Sequence, residues 1–79
     1  MTIEVTIRNA ENGSTLNMEL EAHTTIEDII EGAAEFWQKE AGAYVLRRGK
    51  KLLKGQSTVQ DAGLRGEDVL ELIPDPEGG

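Results

Sequence analysis

The 79-residue chain contains no cysteine and a single histidine, His23. The missing thiols remove disulfide staples, thiolate catalysis and cysteine-ligated zinc together, and they fit a reducing compartment. One imidazole cannot build a multi-histidine metal site within a chain. Apolar runs extend over only a few residues, which is too short for a membrane-spanning helix, and no charged-then-apolar leader opens the sequence. A nucleophile–base pair, a phosphate-cradling loop and a Walker-type lysine are all missing. These absences lead us to expect a cytoplasmic, non-enzymatic monomer that needs no cofactor, no metal and no membrane.

Basic residues are the other scarce class: eight against fifteen acidic ones, a net charge of −7. A chain so charged is repelled by phosphate backbones and anionic lipids, so broad nucleic-acid binding is not expected. Five of the eight cations nevertheless fall close together, at Arg47, Arg48, Lys50, Lys51 and Lys54. Such a cluster reads either as an edge strand protected from aggregation by its charges or as a basic docking face on an acidic body.

What is present has a clear order. Ile3, Val5 and Ile7 alternate with polar residues, as in a half-buried strand. Asn12-Gly13 supplies hairpin-turn chemistry, and alternation resumes through Leu16, Met18, Leu20 and Ala22. The period then becomes helical: Ile26, Ile29, Ile30, Ala33, Ala34 and Trp37 form one apolar stripe opposite Glu27, Asp28, Glu31 and Glu35. The acidic residues read as a solvated helix face rather than a metal or acid–base site. Thr24 or Thr25 can cap the start, Glu27 can complete a capping box with Thr24, and Gly42 is placed to end a helix over residues 25 to 41. Tyr44 to Arg47 and Lys51 to Leu53 read as two short strands around a turn at Arg48-Gly49-Lys50. Val59 and Leu64 read as apolar anchors of a loop. The last strand is Val69 to Ile73, with Pro74 and Pro76 expected to stop its pairing. The order ββαβββ implies an α+β domain, a mixed sheet of four to five strands packed on one helix.

Met1-Thr2-Ile3-Glu4-Val5, Thr25-Ile26-Glu27-Asp28-Ile29, Gly49-Lys50-Lys51-Leu52, Gly55, Thr58-Val59-Gln60-Asp61, Leu64, Glu67, Leu70, Leu72 and Gly78-Gly79 resemble the ubiquitin-like family in order and near-constant spacing. The resemblance covers essentially the whole chain and implies the β-grasp fold over residues 1–74, with a flexible tail at 75–79.

It also implies functional residues. At an average glycine usage of about 7%, two terminal glycines arise by chance in about one sequence in two hundred. In this family the terminal carboxylate, here Gly79 beside Gly78, is adenylated by an activating enzyme. It is then passed to a cysteine and on to target lysines, or to sulfur. Glycines suit a narrow enzyme channel because they lack Cβ. The segment before them, Pro74-Asp75-Pro76-Glu77, departs from eukaryotic ubiquitin: two acids stand where arginines are expected, and the prolines favour an extended, stiffer tail. It is similar instead to the ends of molybdopterin and thiazole sulfur carriers, which suggests a prokaryotic ubiquitin-like modifier. Leu46 and Ile73, with Glu71 in place of the family's histidine, are expected to form an exposed partner-binding patch, with Val45, Leu70 and Leu72 facing in and Leu53 as a further exposed group. Lys50 stands at a family lysine that can accept another modifier. Three functions follow: a modifier joined to target lysines, a sulfur carrier bearing a thiocarboxylate, or an adaptor that uses only its surface.

Overall fold

The structure is a computed structural model that describes residues 2–75. Chain order is β1 (Thr2–Asn9), β2 (Thr15–Glu21), α1 (Ile26–Phe36), a 3-10 turn (Ala41–Ala43), β3 (Tyr44–Arg48), β4 (Lys51–Leu53), α2 (Val59–Ala62) and β5 (Val69–Pro74). The strands form one five-stranded sheet in the order β2-β1-β5-β3-β4. β1 and β5 are parallel, whereas β1–β2, β3–β5 and β3–β4 are antiparallel. This is the mixed sheet with one main helix that the sequence pattern implies.

The opening hairpin is set by its turn. Gly13 takes φ +78°, a left-handed conformation that costs glycine little, and its N–H donates to the Asn9 carbonyl at 2.7 Å. Alternation then places Val5 and Ile7 in the core, where Ile7 pairs with Leu16 and Val5 with Met18. The helix begins as its acidic first turn suggests, with Thr25 as the cap: its Oγ1 accepts the Asp28 N–H at 3.1 Å. Helix amides that this cap leaves over are met by a neighbouring loop, since Ile26 N–H donates to the Ser57 carbonyl and Glu27 N–H to Gly55.

The helix is shorter than its apolar stripe suggests. It ends at Phe36, with Trp37 as C-cap, rather than at Gly42. Gln38 takes the left-handed conformation (φ 58°). Its N–H donates to the Glu35 carbonyl and that of Lys39 to the Ala34 carbonyl, the bond pair of a Schellman cap. A glutamine thus performs the stop that was assigned to a glycine. The loop pinned by Val59 also contains a short helix, α2, whose Thr58 and Asp61 bond reciprocally as a capping box and whose C-cap is Gly63 at φ 68°.

Helix and sheet close on Val5, Ile7, Leu20, Ile26, Ile29, Ala33, Leu46, Leu53, Val59, Leu64, Leu70 and Leu72. The register selects these residues. Leu46 pairs with both Leu72 and Leu53, so all three point to the same side. Pro74 does not end the β3–β5 ladder: it lies opposite Tyr44, and the Asp75 N–H donates to the Ala43 carbonyl at 2.9 Å. Alternation turns the proline nitrogen toward the β1 side, where pairing has already finished at Leu72.

Candidate functional site

The sheet side away from α1 carries the site. β5 runs between β1 and β3, and of its outward residues Glu71 is paired on both sides. Glu71 lies opposite Arg8 of β1 and Arg47 of β3. One carboxylate oxygen accepts from Arg8 Nη1 at 3.1 Å and the other from Arg47 Nη2 at 2.6 Å, so the side chain ties three strands together. The Arg47 hydrogen bond, aided by the charges of both arginines, holds the Glu71 carboxyl below the usual carboxylate range against a smaller opposing effect of burial. Arg47 Nε is buried and meets no acceptor among the described residues, so this guanidinium is partly desolvated and depends on Glu71.

Apolar groups flank the charged centre. Ile73 lies opposite Val45, both half-buried, and Val69 is 54% exposed beside Thr6. Leu52, 49% exposed, lies opposite Arg47 on β4. The expected patch is therefore rearranged. Glu71 and Ile73 face outward, but Leu46 has no exposed surface and belongs to the core. Val45 takes the outward place assigned to Leu46. In the same way Leu53 is buried, and its neighbour Leu52 is the exposed residue. A one-residue shift in phase exchanges the two faces of a strand, and β3 and β4 each carry adjacent apolar residues between which period alone does not choose. Lys50 is exposed in the turn between β3 and β4, next to Gly49 at φ +61°. Gly78 and Gly79 lie outside the described residues.

A second feature sits where β5 leaves the sheet. Tyr44, opposite Pro74, donates its hydroxyl to Glu11 Oε1 at 2.7 Å and so links β3 to the β1–β2 loop. That bond to a carboxylate, with burial and the Glu11 charge, raises the phenol above its ordinary range. The loop is itself tied down, because the buried Asn9 side chain accepts the Glu11 N–H and the Asn12 side chain that of Ser14. Sequence reasoning missed this arrangement; the buried Asn9 at an inward position of β1 was its one available signal.

His23 lies near Glu21 at 3.4 Å with both side chains exposed. Among the described residues no group of three His, Cys, Asp or Glu is gathered for a metal ion, and no helix is long and apolar enough to cross a membrane.

With a β5-centred mixed five-stranded sheet over one main helix, the chain has the ubiquitin-like β-grasp fold. Solved structures share it at low sequence identity. Ubiquitin of Caldiarchaeum subterraneum superimposes with a TM-score of 0.87 at 21% identity, over the whole of both chains. The ubiquitin-like domain of Plasmodium falciparum Dsk2 gives 0.85 at 20% identity, covering 95% of this chain and all of that one. A designed protein based on ubiquitin gives 0.85 at 23%, over 95% of this chain and 90% of its own. No protein-family profile and no curated protein matches the sequence.

Proposed function

We propose that the chain is a cytoplasmic, prokaryotic-type ubiquitin-like modifier, a substrate of enzymes rather than an enzyme. In this reading the Gly79 carboxylate attacks the α-phosphorus of ATP on a separate activating enzyme, releasing pyrophosphate and leaving an acyl-adenylate. A cysteine thiolate displaces AMP to give a thioester, and a target lysine amine then displaces the thiolate to give an isopeptide bond. The observation that carries the reading is a fixed strand end followed in sequence by two glycines. β5 is held to β3 through Pro74, the Asp75 N–H is bonded to Ala43, and Gly78-Gly79 follow within four residues. An archaeal protein of the same fold and full coverage bears the name ubiquitin, which adds support. The outer face around Glu71, Val45 and Ile73 is the surface that partners would read. The mechanism requires Gly79 to be the carboxyl end of the mature protein.

The test is mass spectrometry after incubation with ATP and lysate from the source organism. Isopeptides bearing Gly-Gly on target lysines, lost when Gly79 is deleted, are the expected result. Oxygen-to-sulfur exchange at Gly79 would instead identify a sulfur carrier, a reading favoured by the Ile73-Pro74 segment that precedes the glycines. Neither product, with an unchanged cellular phenotype on deleting Gly78-Gly79, would identify a surface adaptor.

A further inference from the structure

The basic cluster of residues 47 to 54 is resolved by the structure into two groups. The arginines are committed: Arg47 to Glu71, and Arg48 to Asp68 at 3.3 Å and to the Gly63 carbonyl at 2.9 Å. Lys50, Lys51 and Lys54 make no ion pair among the described residues. These three free cations surround β4, an edge strand with a partner on one side only.

The edge is also built to receive something. Odd-numbered residues of β3 serve β5, as the Asp75-to-Ala43 bond and the Val45–Ile73 pair indicate, so the even-numbered ones serve β4. Leu46 and Arg48 therefore bond Leu53 and Lys51, which turns the Leu52 N–H and C=O to the open side. Beside them lies a groove of about 240 Å³ lined by Lys51, Leu52, Leu53, Lys54, Ser57, Asp61 and Ala62. An edge whose lysines served only to repel other strands would gain nothing from a half-exposed leucine at its centre. Asp61 is the one acid in the lining, and it already caps α2.

The geometry points to the β4 edge as a docking site for an acidic, extended segment of a partner protein. The segment adds one strand along β4 through the Leu52 backbone. It places a large apolar side chain in the groove against Leu52 and Ala62 and sets its carboxylates on Lys50, Lys51 and Lys54. Charge complementarity selects the occupant, because these three cations stand together at one edge of a body of net charge −7 and so favour an anionic chain there. A second copy presenting its own β4 would bring lysines against lysines. The site is independent of the Gly79 chemistry and survives if that chemistry is absent.

The experiment is a nitrogen-15 NMR titration of the full chain with a capped heptapeptide that alternates Glu or Asp with Val or Ile. Expected are amide shifts confined to residues 50 to 57, to Asp61 and Ala62 and to the β3 neighbours, and the Lys51→Glu/Lys54→Glu variant, still giving a folded spectrum, weakens binding about tenfold or more. Raising sodium chloride from about 0.05 M to about 0.3 M weakens it severalfold. A peptide with proline at its centre, lacking the pairing N–H, loses most of the affinity. The proposal is overturned if shifts map to the β2 edge or if the double variant binds as well as the parent. Equal binding by the proline peptide, or by inorganic polyphosphate, would also overturn it, since simple ion exchange would then suffice.

Discussion

The two faces of this sheet are made by residues one position apart in the same strands, and they are held by different chemistry. On the inner face Leu46, Leu70 and Leu72 have no exposed surface and belong to the same core as Ile26 and Ile29 of α1. On the outer face Val45 and Ile73 remain half-buried, and Glu71 joins Arg8 and Arg47 between the apolar groups. The inner face is non-directional, and its worth follows the apolar area removed from water. The outer face is directional: three side chains on three strands hold one geometry, which keeps a partly apolar surface ordered while leaving it open. Alternate residues of the same strand thus serve a closed core and an ordered, open surface.

The largest expected effect separates the faces outright. Leu46→Ala leaves a cavity in a closed core and should cost about 2–5 kcal/mol, enough to unfold much of a domain this small. Ile73→Ala, one position beyond Leu72 and on the outward, half-buried face, should cost less than about 1 kcal/mol. Urea unfolding of the two variants measures both. Equal losses would mean that the register is one residue out and that Leu46 belongs outside.

That register is the part of the molecule the sequence left open. The hairpin of β1 and β2 is legible because Ile3, Val5 and Ile7 alternate strictly and Asn12-Gly13 marks the turn. α1 is legible because its stripe repeats for three turns, and its early end is hidden because Gln38 adopts a conformation that more often signals glycine. In Tyr44-Val45-Leu46 and Lys51-Leu52-Leu53 apolar neighbours leave two phases equally plausible, and pairing with Leu72 chooses between them. Of the expected patch, Glu71 and Ile73 were legible because the charged Glu71 between Leu70 and Leu72 sets the phase of β5. Arg8 and Arg47 as partners of Glu71 were not, because they meet it from strands 63 and 24 residues away.

The directional character of the outer face gives the next prediction. Glu71→Gln removes the negative charge and one of the two acceptor oxygens, so one arginine is left facing an amide N–H2 donor. It should destabilise the chain, by less than Leu46→Ala does. The sign with pH follows from the lowered Glu71 value. A carboxyl held below its unfolded value, about 4.3, contributes stability that is present above that pH and is lost as pH falls through the folded value. Thermal melts of parent and variant should therefore differ at neutral pH and converge in acid. A difference that persisted well below the carboxylate range would show that Glu71 acts through packing rather than charge. Sodium chloride should narrow the gap as well, because the pair is partly exposed to solvent.

The smallest effect belongs to the point where the inner face runs out, at Tyr44 beneath the end of β5. Its hydroxyl donates to Glu11, so deprotonation removes the donor and places a phenolate beside a carboxylate. The folded state thus holds this proton more tightly than the unfolded chain does, and the phenol is raised above its usual value near 10. Stability from this contact is complete below that unfolded value and is lost as pH rises through the folded one. Tyr44 is the chain's single tyrosine, so an ultraviolet absorbance titration reads it without assignment. The midpoint should lie above that of the urea-unfolded chain, and Glu11→Gln should bring it back toward the unfolded value with little change in the melting temperature. A midpoint unmoved by Glu11→Gln would mean that the β1–β2 loop is not tied to β3. The strand that leads to the glycines would then be held at its end by the Asp75–Ala43 bond and the Tyr44–Pro74 pairing without the loop's support.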